Sequence, residues 1–407
     1  MTTSHTPALP ELSKGRTILA LFALALGTFG IGTGEFSLMG LLPQVASSTG
    51  SSESQAGYLI SIYALGVVVG APLLAVCGAA LPRRLLLILM LVLCVIANVV
   101  TGFVSHFGSL MVVRFIAGLP HGAFFGVAAL TGASLVEPRH RGKAVGRVML
   151  GLTLSTLLGN PLSVWIGQLS NWHMAYVMVG VICAISALLI VLFVPNDHHM
   201  PRSSPLQELG ALKNPDIWLT LAIGATGFGG MFCVLSFIAP TITHVSHLSS
   251  TWVPATLAIF GVGTIIGSQV GGSMADKGTM RAAGIFLVWT LVVMVLFTPL
   301  SYSSWTVLPA VFLVGTCMGL TPPLQVRLMD VGKNAQTLAA SLNHSAFNLA
   351  NALGAWLGGV SATVTGSWAM TGWSGAILAL VGLAVYALAL RRSLRRKRAR
   401  LAATQTD

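Results

Sequence analysis

Two ionisable groups stand alone in long apolar surroundings: Glu35 in the segment GTGEFSLMGLLP and Arg114 in VVRFIAG. A charged side chain in hydrocarbon costs about 2.5–3.5 kcal/mol on insertion scales, so such groups pair or line a wet cavity. Glu35 lies eight residues before Pro43, and Arg114 about six residues into its own apolar segment. At about 1.5 Å per helical residue both sit roughly 9 to 12 Å below the same face, which allows a pair. A carboxyl that gives and takes a proton, modulated by an arginine, is the chemistry on offer; a static ion pair is the plainer reading. His121 follows Arg114 by seven residues on the same helical face. Its imidazole suits proton exchange or hydrogen bonding to a ligand, and equally a structural role.

A second group is polar but uncharged. His344, Asn348 and Asn351 follow at spacings of four and three, which places them on one helical face, with Asn343 beside them. Together with Phe124, Phe125, Phe228 and Phe232 they suggest a cavity of aromatic walls and a few amides, suited to a neutral or amphipathic organic molecule. Interhelical hydrogen bonding accounts for the same amides without a ligand. No catalytic constellation or cofactor motif stands out, and no Gly-x-x-x-x-Gly-Lys-Ser loop is present. The five cysteines, at 77, 94, 183, 233 and 317, lie inside apolar runs with no pair at metal-ligand spacing. The sequence therefore predicts no enzyme, no metal site and no cofactor.

The elements that position these residues follow from composition. Of 407 residues 55% are hydrophobic and only 8% charged, where a soluble domain carries roughly 25% charged residues. Uncharged stretches run from Leu85 to Val113, Val148 to Asn196 and Ile217 to Ala275, and about 20 apolar residues cross a bilayer as a helix. Turn-rich and basic segments divide the chain into helices near 17 to 45, 53 to 80, 84 to 104, 108 to 136, 143 to 168, 172 to 195, 216 to 243, 252 to 275, 281 to 300, 304 to 328, 334 to 364 and 370 to 391. With that count every Lys and Arg of the 22 except Arg114 falls on one side. The excess of basic residues in cytoplasmic loops then places both termini in the cytoplasm. The predicted layout is a cytoplasmic tail 1–16, a six-helix bundle 17–195, a cytoplasmic linker 196–215, a second bundle 216–391 and a basic tail 392–407. The net charge of +12 is read as topogenic, with lipid and not nucleic acid as the partner, because the basic clusters are short and lack aromatic interleaving. The first apolar segment is too long for a cleaved signal core and is read as a span.

The two halves repeat. Gly66, Gly70, Ala75 and Arg84 match Gly263, Gly267, Gly272 and Arg281 at an offset of 197, and Gly118 and Gly122 match Gly315 and Gly319 at the same offset. At this offset Glu35 and Arg114 correspond to Phe232 and Val311, so polar chemistry breaks the symmetry. A duplicated six-helix unit is the architecture of transporters that rock two bundles around a midplane site.

Three segments resemble the major facilitator superfamily, and within it the twelve-span drug:proton antiporters. The stretch Gly272, Ser273, Met274, Ala275, Asp276, Lys277, Gly278, with Arg281 beyond, is similar to the Gly-x-Leu-Ala-Asp-Arg-x-Gly-Arg-Arg loop signature. Arg114 to Gly118, with Gly122, is similar to the proton-coupling signature of the fourth helix; Gly159, Asn160 and Pro161, with Gly167, resemble part of the antiporter motif of the fifth. With GTGEFSLMGLLP and PHGAFFG added, the chain looks closest to arabinose-efflux-like and chloramphenicol-resistance-like exporters, over nearly its whole length. It departs from the pattern at Ala79, where the first-half loop would carry its acid, at Asn160, where the motif has glycine, and at Val164 and Trp165 in place of a closing glycine pair. The resemblance implies an all-α membrane protein of two pseudo-symmetric six-helix bundles, a monomer in a bacterial inner membrane, exporting a small organic substrate against protons. It implies proton coupling by Glu35, Arg114 and His121 and gating by Arg83, Arg84, Asp276 and Arg281. A sugar or nucleoside carrier working by symport or facilitated diffusion is the alternative.

Overall fold

The computed structural model describes residues 13–137, 140–196, 213–332 and 336–403. These form twelve long helices: α1 (Lys14–Thr49), α2 (Glu53–Leu74), α3 (Arg83–Thr101), α4 (Phe107–Ser134), α5 (Lys143–Leu169), α6 (Trp172–Phe193), α7 (Pro215–Leu235), α8 (Ser250–Ala275), α9 (Thr279–Leu300), α10 (Val307–Val331), α11 (Gln336–Thr365) and α12 (Trp368–Ser393). Eleven are long and apolar enough to span a bilayer by composition alone. The twelfth, α11, is diluted by Asn343, His344, Asn348 and Asn351, and these face protein instead of lipid. Most of the linker expected at 196–215 lies outside the described residues, as do Arg139, Arg202, Lys333 and the chain's outermost ends.

Local chemistry sets the helix ends. Ser52 and Gln55 form a reciprocal capping box at the start of α2, and Asn171 caps α6 through the amide of Met174. Gly50 closes α1 at φ 66°, a left-handed conformation that glycine adopts without steric penalty. On α3, Leu85, Leu89, Val92, Ile96 and Val100 are exposed in a stripe at helical spacing, an apolar face suited to lipid.

The repeat seen in the sequence is a repeat of contacts. A side chain on Gly66 would run into the Phe115 carbonyl, and one on Gly263 into the Phe312 carbonyl; Gly70 meets Leu119 as Gly267 meets Thr316, and Gly118 meets Tyr63 as Gly315 meets Phe260. Each pair is related by 197 residues. Backbones of α2 and α4, and of α8 and α10, thus touch through small residues in the same way. Both α4 and α10 break their regular winding just past this contact, at Leu119–Pro120 and at Cys317–Leu320.

Side-chain ties define the two ends. Arg84 at the start of α3 donates to Asn196 beyond α6 (2.8 Å) and to the Val191 carbonyl, and Arg392 of α12 meets Asp216 of α7 at 3.3 Å. This end carries the basic residues. At the opposite, distal end Trp172 of α6 donates to Ser48 of α1 (2.8 Å). The halves meet along two seams, α2 against α11 and α5 against α8. Just before Pro161, α5 winds through a π turn, Ser155–Gly159, whose residues Thr156 and Leu157 lie on the seam against Thr264 (3.3 Å) and Gly261. Inserted π turns recur at functional positions.

Candidate functional site at the meeting of the two halves

Glu35 is 1% exposed and sits at the centre of the bundle. Asn351 of α11, from the other half, donates through Nδ2 to its Oε1 at 3.4 Å, and Nε2 of His121 on α4 stands 3.6 Å from its Oε2. The second ring nitrogen of His121, Nδ1, is 3.0 Å from the Tyr63 hydroxyl of α2. One carboxylate thus stands against both halves, and its histidine neighbour is held at Nδ1 by Tyr63.

Arg114 does not close the direct pair with Glu35 that their depths allow. Its Nη1 donates to the carbonyl of Gly34 at 3.2 Å, and its guanidinium lies 4.3 Å from the ring centre of Tyr63 and 5.2 Å from that of Tyr176. The physical reason is the direction of α1: Gly34 and Glu35 point to different sides of the helix, Gly34 toward α3 and α6 and Glu35 toward the seam. Arg114 therefore sits inside the first half, with π faces in place of a carboxylate.

The aromatic residues fall into two stacks. His121 and His344 sandwich Phe125, each with centroids 4.8 Å from it, bringing the two imidazoles of opposite halves to 6.1 Å. Phe347 of α11 packs edge-on against Phe228 (5.2 Å) and Phe232 (4.9 Å) of α7, and Phe232 stacks on Phe36 of α1 at 6.2 Å. Phe124 turns away into the first half, against Gly27. Asn343 donates to Gln325 of α10 at 2.5 Å, and Asn348 to the His344 carbonyl of its own helix at 3.1 Å.

Open space lies nearer the basic end. A cavity of about 530 Å³ is lined by Phe22, Leu26 and Phe29 of α1 and Arg147, Leu150 and Leu154 of α5. Phe22, Phe29 and Phe36 follow at intervals of seven along one side of α1. Phe36 is buried against the second half, whereas Phe22 is 55% exposed. The same face of α1 is thus covered by the second half at depth and uncovered toward the basic end. Cross-half contacts gather from mid-depth to the distal end: Glu53 with His244 (3.7 Å), Ser54 to the Gly359 carbonyl (3.1 Å), Thr363 to Ser54 (3.0 Å) and Gln168 to the Ser250 carbonyl (2.8 Å).

The residues expected to gate lie at the basic end. Arg83 and Arg84 open α3, and the Arg84 ties to Asn196 and Val191 stay within the first half. Asp276 caps the end of α8, with Gly278 (φ 146°) and Arg281 following; among the described residues it makes no ion pair with the first half. In α5, Asn160 is buried, and a side chain at Gly159 would strike the Thr33 hydroxyl of α1.

Sequence reading passed over Tyr63, Tyr176, Phe36, Phe347 and Gln325. A signal for two of them exists: at the offset of 197, Tyr63 corresponds to Phe260 and Tyr176 to Trp373, so the tyrosines that enclose Arg114 break the repeat just as Arg114 does. Phe36 and Phe347 carry no such mark.

Comparison with known proteins agrees with this fold. Residues 24–335 match the model of the Major Facilitator Superfamily. The chain is 34% identical over 373 residues to the inner membrane transport protein YdhP of Escherichia coli (strain K12), covering 91% of this chain and 96% of that one. It is 31% identical to the putative transporter AraJ of the same organism, over 84% of this chain and 88% of AraJ. Identity is also 31% to a chloramphenicol resistance protein of Streptomyces lividans, over 90% of this chain and 95% of that one. Among solved structures, a bacterial homolog of the human lysosomal transporter Spinster, in an inward-facing and unoccupied conformation, superposes with a TM-score of 0.74 at 17% identity, over 94% of this chain and 99% of that one.

Proposed function

The chain belongs to the Major Facilitator Superfamily and is a multi-pass membrane transporter, not an enzyme, and from that premise we propose that it exports a small organic molecule from the cytoplasm in exchange for protons, with Glu35 as the proton carrier. One observation carries the reading: the carboxylate is buried where the halves meet, with His121 of one half beside it at 3.6 Å and Asn351 of the other donating to it. Any rocking of the halves must alter this environment. Burial favours the protonated carboxyl and a nearby cation favours the ionised one, so a change in hydration or in the distances to Asn351 and Arg114 moves the proton. Substrate entering the same seam promotes release of the proton, and a proton arriving from outside promotes release of substrate.

In this reading the basic end, with both termini, is cytoplasmic. The closed distal contacts and the cleft along α1 then correspond to a state facing the cytoplasm. Asp276 and Arg281, and Arg83 and Arg84, act at the cytoplasmic mouth, which would close when the distal end opens. The π turn before Pro161 gives α5 a point of flexure on the seam.

A relative's name makes chloramphenicol the first compound to try. In everted membrane vesicles energised to an acidic interior, its uptake should be driven by the pH gradient and should collapse when nigericin dissipates that gradient. Uptake unchanged by nigericin would favour the rival reading, a carrier working without protons.

A further inference from the structure

The seam around Glu35 holds acceptors that the protein does not satisfy. The amide nitrogen of Asn351 is committed to Glu35 Oε1 and that of Asn348 to the His344 carbonyl. The His344 carbonyl only accepts hydrogen bonds, and so does the Glu35 carboxylate once it has released its proton, so in that state each amide is oriented with Oδ1 as its free end. Both Oδ1 atoms are buried without a partner in the protein, and both side chains are 0% exposed. Glu35 Oε2 is a third such atom, since the His121 nitrogen at 3.6 Å stands beyond hydrogen-bond reach. The unpaired nitrogens of Arg114, Nε and Nη2, belong to a guanidinium that packs against the rings of Tyr63 and Tyr176.

Buried acceptors left unpaired are uncommon and costly. Near them are the apolar rings of Phe36, Phe232 and Phe347, the last one helical turn before Asn351 on α11. A site of this kind strongly rejects a molecule that lacks the complementary donors, because the acceptors would then stay unpaired.

We propose that the transported compound presents two or more N–H or O–H donors on a flat apolar frame, bound by the Oδ1 atoms of Asn348 and Asn351, and that molecules of similar shape bearing only acceptors are excluded. This deepens the reading of the Glu35 seam as the transport site and rests on it. The binding test needs no proton gradient, so a failure of coupling leaves its result untouched.

The probes are 2,6-dihydroxynaphthalene, 2,6-dimethoxynaphthalene and naphthalene, titrated calorimetrically into detergent-purified protein at one pH. The diol should bind at least tenfold more tightly than the diether. Asn348→Leu and Asn351→Leu should each cut that preference about fivefold, the usual worth of one neutral hydrogen bond, while changing naphthalene affinity less than twofold. Equal binding of diol and diether to the wild-type protein overturns the proposal without reference to any variant. So does a diol that does not bind, or a preference that survives in both variants.

Discussion

The side-chain nitrogen of Asn351, in the second half of the chain, lies 3.4 Å from the carboxylate of Glu35 in the first. Between them the two residues span 316 positions of sequence and the whole width of the seam. A bond so placed cannot persist when the halves part, which ties the state of the carboxylate to the conformation of the protein.

Arg114 is held by two tyrosine faces and one carbonyl. A desolvated cation–π contact contributes about 2 kcal/mol or more, and a hydrogen bond from a charged donor about 1.5–3 kcal/mol. Arg114→Ala should therefore lower the melting temperature of the purified protein by several degrees and abolish transport. Arg114→Lys should recover part of the stability. A melting temperature equal to that of wild type in Arg114→Ala would show that the tyrosine enclosure contributes nothing.

The repeated backbone contacts predict a matched pair of packing defects. Gly66→Leu and Gly263→Leu each drive a side chain into a carbonyl of the neighbouring helix and should both yield aggregated protein on size-exclusion chromatography. At Gly146 and Gly272 an added Cβ meets nothing within 4 Å, so Gly146→Ala and Gly272→Ala should elute as wild type. Unequal effects of the first two would argue that the halves are not packed alike.

Closure of the distal end is open to direct cross-linking. With the native cysteines replaced, cysteines placed at Ser54 and Thr363, whose hydroxyl oxygens are 3.0 Å apart, should form a disulfide that arrests transport until a reductant is added. Full transport by the cross-linked protein would mean that these ends never separate.

Orientation is tested by labelling. Single cysteines at Ser48, Ser249 and Ser303 should react with an impermeant thiol reagent added to intact cells, and one at Ser203 should not. Labelling at Ser203 from outside would invert the topology.

The architecture was legible in the sequence because lipid imposes it: few charges, long apolar runs and basic residues on one side leave little freedom, and Gly66 and Gly263 marked the repeat. Helix α11 was found from its position between loops, although its amides keep it off the hydropathy scale. The site was legible only in part. Burial depth brought Glu35 and Arg114 to one level but said nothing of the side of α1 to which each is turned, so the expected direct pair gave way to Gly34, Tyr63 and Tyr176. The partner that Glu35 does have, Asn351, was picked out by helical spacing but for a different role, because spacing along one helix does not say which distant helix it faces. Phe36 and Phe347 look like any other core residues until α1, α7 and α11 are brought together.

The exchange mechanism stands or falls with the proton on Glu35. Glu35→Gln should fold and retain some binding, since the amide mimics the protonated acid, but it cannot give up a proton and should lose uphill export. The measurement is proton release, read by a pH dye, when chloramphenicol is added to purified protein in weak buffer, wild type against Glu35→Gln. Release from the wild-type protein and none from Glu35→Gln is the predicted result; equal release from both would remove Glu35 from the mechanism.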